Sequence, residues 1–133
     1  MRYLKNPNRH LRHILALPFI SILIIPMIIM DISVEIYHRI CFPLCGIPCI
    51  KRRKYIQIDR HKLKYLNLIQ KLYCMFCGYA NGIANYWVEI AGETEHYWCG
   101  IKHRENPNFV EPTYHKDFAE YDDEKDFNEK YKK

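Results

Sequence analysis

Residues 14–30 run Ile-Leu-Ala-Leu-Pro-Phe-Ile-Ser-Ile-Leu-Ile-Ile-Pro-Met-Ile-Ile-Met without a charge, and Ser21 supplies their single hydroxyl. At ~1.5 Å per helical residue this stretch covers roughly 26 Å, slightly less than a ~30 Å hydrocarbon core. Continuation through Tyr37 makes residues 14–37 long enough to span, with Asp31 and Glu35 near one boundary. A helix apolar all round cannot be hidden in the single core of a 133-residue chain, so a membrane helix is expected. The run exceeds the apolar region of a cleaved signal (about 7–15 residues) and lacks an Ala-x-Ala exit, which favours a retained anchor. Pro18 and Pro26 allow two forms, a kinked single span or a re-entrant hairpin. Backbone freed within lipid must find a partner, and that cost favours the kinked span.

Charge is segregated around this segment. Residues 1–103 carry 14 Lys and Arg against 6 Asp and Glu, whereas residues 104–133 carry 6 against 9. Residues 1–13 form a basic flank with Arg2, Lys5, Arg9 and Arg12, and a larger basic group follows the apolar run: Arg39, Lys51, Arg52, Arg53, Lys54, Arg60, Lys62 and Lys64. The positive-inside tendency therefore places the C-terminal part in the cytoplasm. Residues 38–54 read as an interfacial segment, with Cys41, Cys45 and Cys49 interrupted by Pro43 and Pro48. Those cysteines suit plain apolar contact at the bilayer surface, with lipidation or iron ligation as alternatives. The tetrad Lys51-Arg52-Arg53-Lys54 suits anionic head groups, and no groove-reading motif accompanies it, so no nucleic-acid partner is expected.

Residues 55–103 form the expected body. Tyr55-Ile56-Gln57-Ile58 alternates like a short strand, and Asp59 is placed to cap a helix starting near Arg60. Leu63, Leu66, Ile69 and Leu72 recur at three-residue spacing and give that helix one apolar face. A second helix is predicted from Gly82 to Tyr97, capped by Asn81, with Ile83, Tyr86, Trp87, Ile90 and Ala91 on its apolar face. Gly92 weakens it by about 1 kcal/mol relative to Ala. The expected fold is mainly α: an N-terminal membrane helix, a small helical cytoplasmic body with a metal-knuckle turn, and a charged aromatic tail over residues 104–133. That tail reads as loosely ordered or weakly helical, although Phe109, Tyr114, Phe118, Tyr121, Phe127 and Tyr131 give it groups able to dock.

The strongest chemical signal is Cys74-Met75-Phe76-Cys77-Gly78, followed by Cys99 and His103. Two cysteines separated by two residues can aim both sulfurs at one ion from a tight turn, and the following Gly allows positive φ. The arrangement resembles the knuckle of zinc-ribbon and rubredoxin-like sites. Cys74, Cys77, Cys99 and His103 thus make a Cys₃His set suited to tetrahedral zinc, with iron as the alternative ion. The competing readings are buried apolar cysteines and a redox dithiol. Glu89, Glu93 and His96 offer the Glu-x-x-His spacing of di-iron carboxylate bundles, but one copy does not complete such a site without a homodimer. No phosphate-binding Gly loop, nucleophile elbow or H-E-x-x-H motif is present.

The stretch from the apolar run to His103 resembles a group of short, uncharacterised bacterial membrane proteins. The carrying residues are Cys41-Phe42-Pro43, Asp59-Arg60-His61, Tyr65-Leu66-Asn67, Cys74 and Cys77, Tyr79-Ala80-Asn81-Gly82, and Tyr97-Trp98-Cys99-Gly100-Ile101-Lys102-His103. The resemblance implies a bacterial inner-membrane protein and no particular reaction. The expectation is an accessory or interaction protein whose partners are the bilayer and another membrane protein or a second copy of itself. Its metal staples a body too short to build a large core. A membrane-associated redox protein on the same cysteines is the rival.

Overall fold

A computed structural model describes residues 10–132. Arg2, Lys5 and Arg9 of the basic flank lie outside the described residues. The fold is mainly helical, with no strand among the described residues, and it divides into two compact units, Met1–Cys49 and Ile50–Lys133.

The first unit consists of α1 (His10–Ile22) and α2 (Ile24–Leu44). Pro26 has no N–H to offer the carbonyl of Ile22, and the helical ladder breaks there for one residue, Leu23. Leu23 keeps helical dihedrals (φ −64, ψ −19) and its carbonyl accepts from Met27 N at 3.2 Å, so the chain does not reverse. Leu11–Leu44 is thus one helical path of 34 residues, long and apolar enough to cross a membrane, and none of its most apolar window is buried. Pro18 lies inside α1 without ending it. Beyond the uncharged run α2 acquires sides: Asp31, His38 and Phe42 share one face and are its buried residues. Glu35 and Arg39 pair one turn apart at 2.6 Å. The helix ends in a Schellman motif, with Gly46 at φ +71, Gly46 N donating to Pro43 O and Ile47 N donating to Phe42 O at 2.8 Å.

The second unit is organised by α3 (Leu68–Trp98), a single 31-residue helix where two shorter ones are expected from the sequence. Its start is a capping box. Asn67 Oδ1 accepts from Gln70 N at 2.8 Å, and Gln70 Oε1 accepts from Asn67 N at 3.1 Å. Asp59 heads only the 3-10 turn Arg60–Lys62, and its carboxylate accepts from Gln57 Nε2 instead of capping. Asn81 is not a cap either: it lies within α3 and its side chain donates to Cys77 O at 2.8 Å.

The expected strand over residues 55–58 does not form: Tyr55 closes the 3-10 turn Arg52–Lys54 with φ −104 and ψ −31, and residues 56–58 follow as irregular chain. Residues 55–58 lie along α3 at Gly78 and Gly82, which are one turn apart. A Cβ on Gly82 would stand 2.8 Å from Tyr55 O and 2.9 Å from Ile56 Cα, so the missing side chain is what lets the two backbones approach. Tyr55 then meets the buried Tyr86 at 5.9 Å between ring centroids, and Arg52 stands over the same ring at 5.7 Å. The core of this unit is Ile83, Tyr86 and Ile90 of α3 together with Phe118 and Ala119.

Phe118 and Ala119 belong to the stretch expected to be a loose tail, which the structure shows docked. Gly100 (φ +54) turns the chain out of α3, and a bridge between Ile101 and Ala119 closes the loop from 102 to 118. Ala119 N donates to Gly100 O at 2.7 Å and Lys102 N donates to Ala119 O at 2.8 Å. Helix α4 (Glu124–Tyr131), capped by Asp123, is fastened at both ends. Asp126 accepts from Glu120 N at 2.8 Å, Lys130 Nζ donates to Phe118 O at 3.0 Å, and Tyr131 Oη donates to Gly100 O at 3.0 Å.

Candidate functional site

The four ligands read from the sequence do not meet. Cys74 and Cys77 lie on α3 and no knuckle forms, because Gly78 is a helical residue with Gln57 O set close above it. Cys99 caps the far end of the same helix, and at ~1.5 Å per residue it stands roughly 33 Å from Cys77. One ion cannot bridge that distance, so the Cys₃His set is not assembled in this fold. All six cysteines are free; Cys77, Cys99 and Cys49 are exposed, and Cys41, Cys45 and Cys74 are half-buried. Glu89, Glu93 and His96 are not gathered either. The His96 ring stacks on Phe118 at 5.4 Å, and Glu89 lies beside the Tyr55 phenol. Burial, with the charge of Glu89 beside it, pushes the Tyr55 phenol above its ordinary value.

His103 does meet other ligating groups, from a different part of the chain. Its Nε2 lies 3.9 Å from Glu95 Oε1, and the same carboxylate oxygen lies 3.4 Å from His115 Nε2. The three ligating atoms all fall within 4.8 Å of one another. Three separate elements deliver them: the last turns of α3 carry Glu95, the irregular chain that leaves the helix after Gly100 carries His103, and the 3-10 turn Thr113–Asp117 carries His115. The Ile101–Ala119 bridge brings the two ends of the intervening loop together and so sets His103 beside His115.

Burial is graded across this group. His115 is only 1% exposed, Glu95 is half-buried, and His103 is open to solvent. Neither ring nitrogen of His115 has a hydrogen-bond partner, although its ring packs at 4.7 Å on Phe118. On the opposite side of the imidazole, Nδ1 faces Glu111 Oε1 at 3.8 Å. Tyr114 lies beside Glu95, and burial first, then that charge, raises its phenol pKa. Gly92 makes room for this contact: a Cβ there would lie 2.9 Å from Tyr114 Cγ. His103 and Glu111 line an open cavity of about 860 Å³, with Lys102, Arg104 and Glu120 also on its wall. Lys102 is paired with Glu120, whose hydrogen bond raises the lysine pKa.

Sequence reasoning finds His103 and misses Glu95, Glu111 and His115. Glu111 and His115 stand four residues apart, which is a usable signal, but nothing local links that pair to Glu95, two residues after Glu93. Compared with protein-family models, curated proteins and solved structures, the chain shows no significant match.

Proposed function

We propose that this protein is a membrane-anchored accessory module: α1 and α2 hold it in the inner membrane of a bacterium, and the unit from Ile50 onward works at the cytoplasmic surface. The observation that carries the reading is the 34-residue helical path Leu11–Leu44, whose most apolar window has no buried residue. Leaving that surface in water would forgo about 25 cal/mol for each Å² of apolar area, a cost the bilayer removes. The path measures about 51 Å at ~1.5 Å per residue, more than the ~30 Å hydrocarbon needs. Its uncharged part occupies the lipid, and the sided part after Asp31 continues into the interface.

The Lys and Arg excess after the helix supports the cytoplasmic placement of the body, and the resemblance to short bacterial membrane proteins supports the compartment. Tyr65, Leu68, Ile69 and Leu72 are exposed at the start of α3 beside Lys62, Lys64 and Lys71, an amphipathic edge suited to a head-group surface.

Fractionation tests the anchor. The protein is expected to stay with membranes through alkaline carbonate and to leave only in detergent, and a soluble full-length protein would refute it. A cytoplasm-dependent fluorescent reporter fused after Lys133 is expected to be bright; a dark fusion that remains in the membrane fraction reverses the orientation alone.

A further inference from the structure

We infer that Glu95, His103 and His115 form a site for one divalent transition-metal ion, of which zinc is the natural occupant. The distances carry the argument. Hydrogen bonds between nitrogen and oxygen fall at about 2.7–3.2 Å. The separations of 3.4 Å and 3.9 Å from Glu95 Oε1 to the two imidazole nitrogens are too long for that. The 3.4 Å separation is close to what a shared ion imposes, since two donors each 2.0–2.1 Å from a tetrahedral zinc stand about 3.3 Å apart, and the 3.9 Å one belongs to the exposed His103, whose ring has room to close it.

The buried histidine is the independent observation. A polar group withdrawn from water without a partner costs on the order of 1–3 kcal/mol, so buried imidazole nitrogens are ordinarily bonded. His115 is 1% exposed and has two unbonded nitrogens. A metal at Nε2 satisfies one of them. It also fixes the tautomer, since a ligating Nε2 must carry a lone pair and the proton then sits on Nδ1. There it points toward Glu111 Oε1, 3.8 Å away, in the carboxylate–histidine–metal order by which outer groups orient a ligand. The Tyr114 phenol stands beside Glu95. Two nitrogens and one carboxylate match zinc's donor preferences, and thiolate is not required.

Three protein ligands leave a fourth position. His103 forms part of the wall of the 860 Å³ cavity, so that position faces solvent and takes water or an exchangeable anion. The metal joins α3 to both ends of the loop between His103 and His115. Binding requires neutral imidazoles and an ionised Glu95, and it releases the protons those groups otherwise hold.

The test uses the full-length protein in detergent, stripped with chelator and titrated with Zn²⁺ by calorimetry and with Co²⁺ by absorption. The expected result is one ion per chain and cobalt d–d bands without thiolate-to-cobalt charge transfer. His103→Ala changes an exposed side chain and Glu95→Gln is isosteric; each is expected to weaken zinc by more than about a hundredfold, and Glu111→Gln by about ten- to a hundredfold. The combined variant Cys74→Ser, Cys77→Ser, Cys99→Ser is expected to bind as the parent does. Circular dichroism of each variant establishes that it is folded. The inference is overturned if the folded parent binds no ion, if cobalt shows thiolate bands that vanish in the serine variant, or if His103→Ala and Glu95→Gln bind undiminished. None of these outcomes depends on the membrane reading.

Discussion

Gly82→Ala separates a glycine that merely weakens a helix from one that another segment rests upon. In an exposed helix interior the change would stabilise by about 0.8–1.0 kcal/mol. Here the new methyl would stand 2.8 Å from Tyr55 O, 2.9 Å from Ile56 Cα and 3.1 Å from Ile56 Cγ1. Carbon contacts are comfortable at about 3.5–4.0 Å, and two of these three atoms are backbone that no rotamer change can move. Residues 55–56 must shift outward, at the ~1–3 kcal/mol typical of overpacking. The shift also loosens the Tyr55–Tyr86 contact, and aromatic pairs contribute about 0.5–1.5 kcal/mol. Set against the propensity gain, the net effect is a destabilisation of about 1–2 kcal/mol. For a domain the size of Ile50–Lys133 that lowers the melting temperature by about 4–16 °C. Near-ultraviolet dichroism of the detergent-solubilised protein, which reports Trp87 and the tyrosines around it, gives the measurement. Gly78→Ala is the control, because its Cβ would meet only Gln57 O, at 3.3 Å. Propensity and crowding then nearly cancel, and the shift should stay within about 0.5 kcal/mol. A rise in melting temperature for Gly82→Ala would refute the packing of residues 55–57 along α3.

Other perturbations test the remaining contacts. Asn67→Ala removes the capping box and should cost about 1 kcal/mol, seen as faster amide exchange over residues 68–71 with α4 unaffected; uniform exchange along α3 would count against it. Asp126 has its pKa lowered, chiefly by the hydrogen bond from Glu120 N and then by Lys130. A depressed carboxylate stabilises above its ordinary value of 3.8 and loses that contribution as pH falls through the lower folded-state value. The docking of α4 should therefore persist to below pH 3.8 in the parent and become pH-independent there in Asp126→Asn, followed by the Glu120 amide in an NMR titration. Gly92→Ala would push on Tyr114 Cγ, near the root of the ring where a side chain swings least, and so shift the phenol that stands beside Glu95. Zinc affinity is expected to fall about ten- to a hundredfold with little change in helix content, and unchanged affinity would show that Tyr114 does not position Glu95.

The long apolar helix was legible because its signal is local and additive: residues 14–30 lack charge, and no tertiary arrangement is needed to interpret that. Part of the face of α3 was legible for the same reason, since Ile83, Tyr86 and Ile90 repeat at helical spacing and are buried, whereas Ala91 of that face and Ile69 and Leu72 of the earlier one are exposed. Reading failed where one residue type serves two geometries. Gly78, after a cysteine pair, looks like the turn of a knuckle, and Gly82 looks like the first residue of a helix. The structure uses their missing side chains as a groove for a segment over twenty residues upstream, information that no window around Gly82 contains.

The candidate metal site was obscured by the same error. Once Gly78 is taken as a turn, Cys74 and Cys77 appear free to face Cys99; once it is helical, the intervening rise forbids it. His103 survives because its role depends on leaving the helix, and Gly100 at φ +54 enforces that exit in either reading. The partner histidine was assigned to a loose tail because residues 104–133 are rich in charge. Composition alone cannot distinguish a solvated tail from a segment with a few well-placed anchors. Phe118, Ala119 and His115 are buried while their neighbours Lys116, Asp117 and Glu120 stay in water, so the segment keeps its polar average and still supplies core. It is that docking which carries an imidazole into an interior where neither of its nitrogens is hydrogen-bonded and a carboxylate stands at 3.4 Å from one and 3.8 Å from the other.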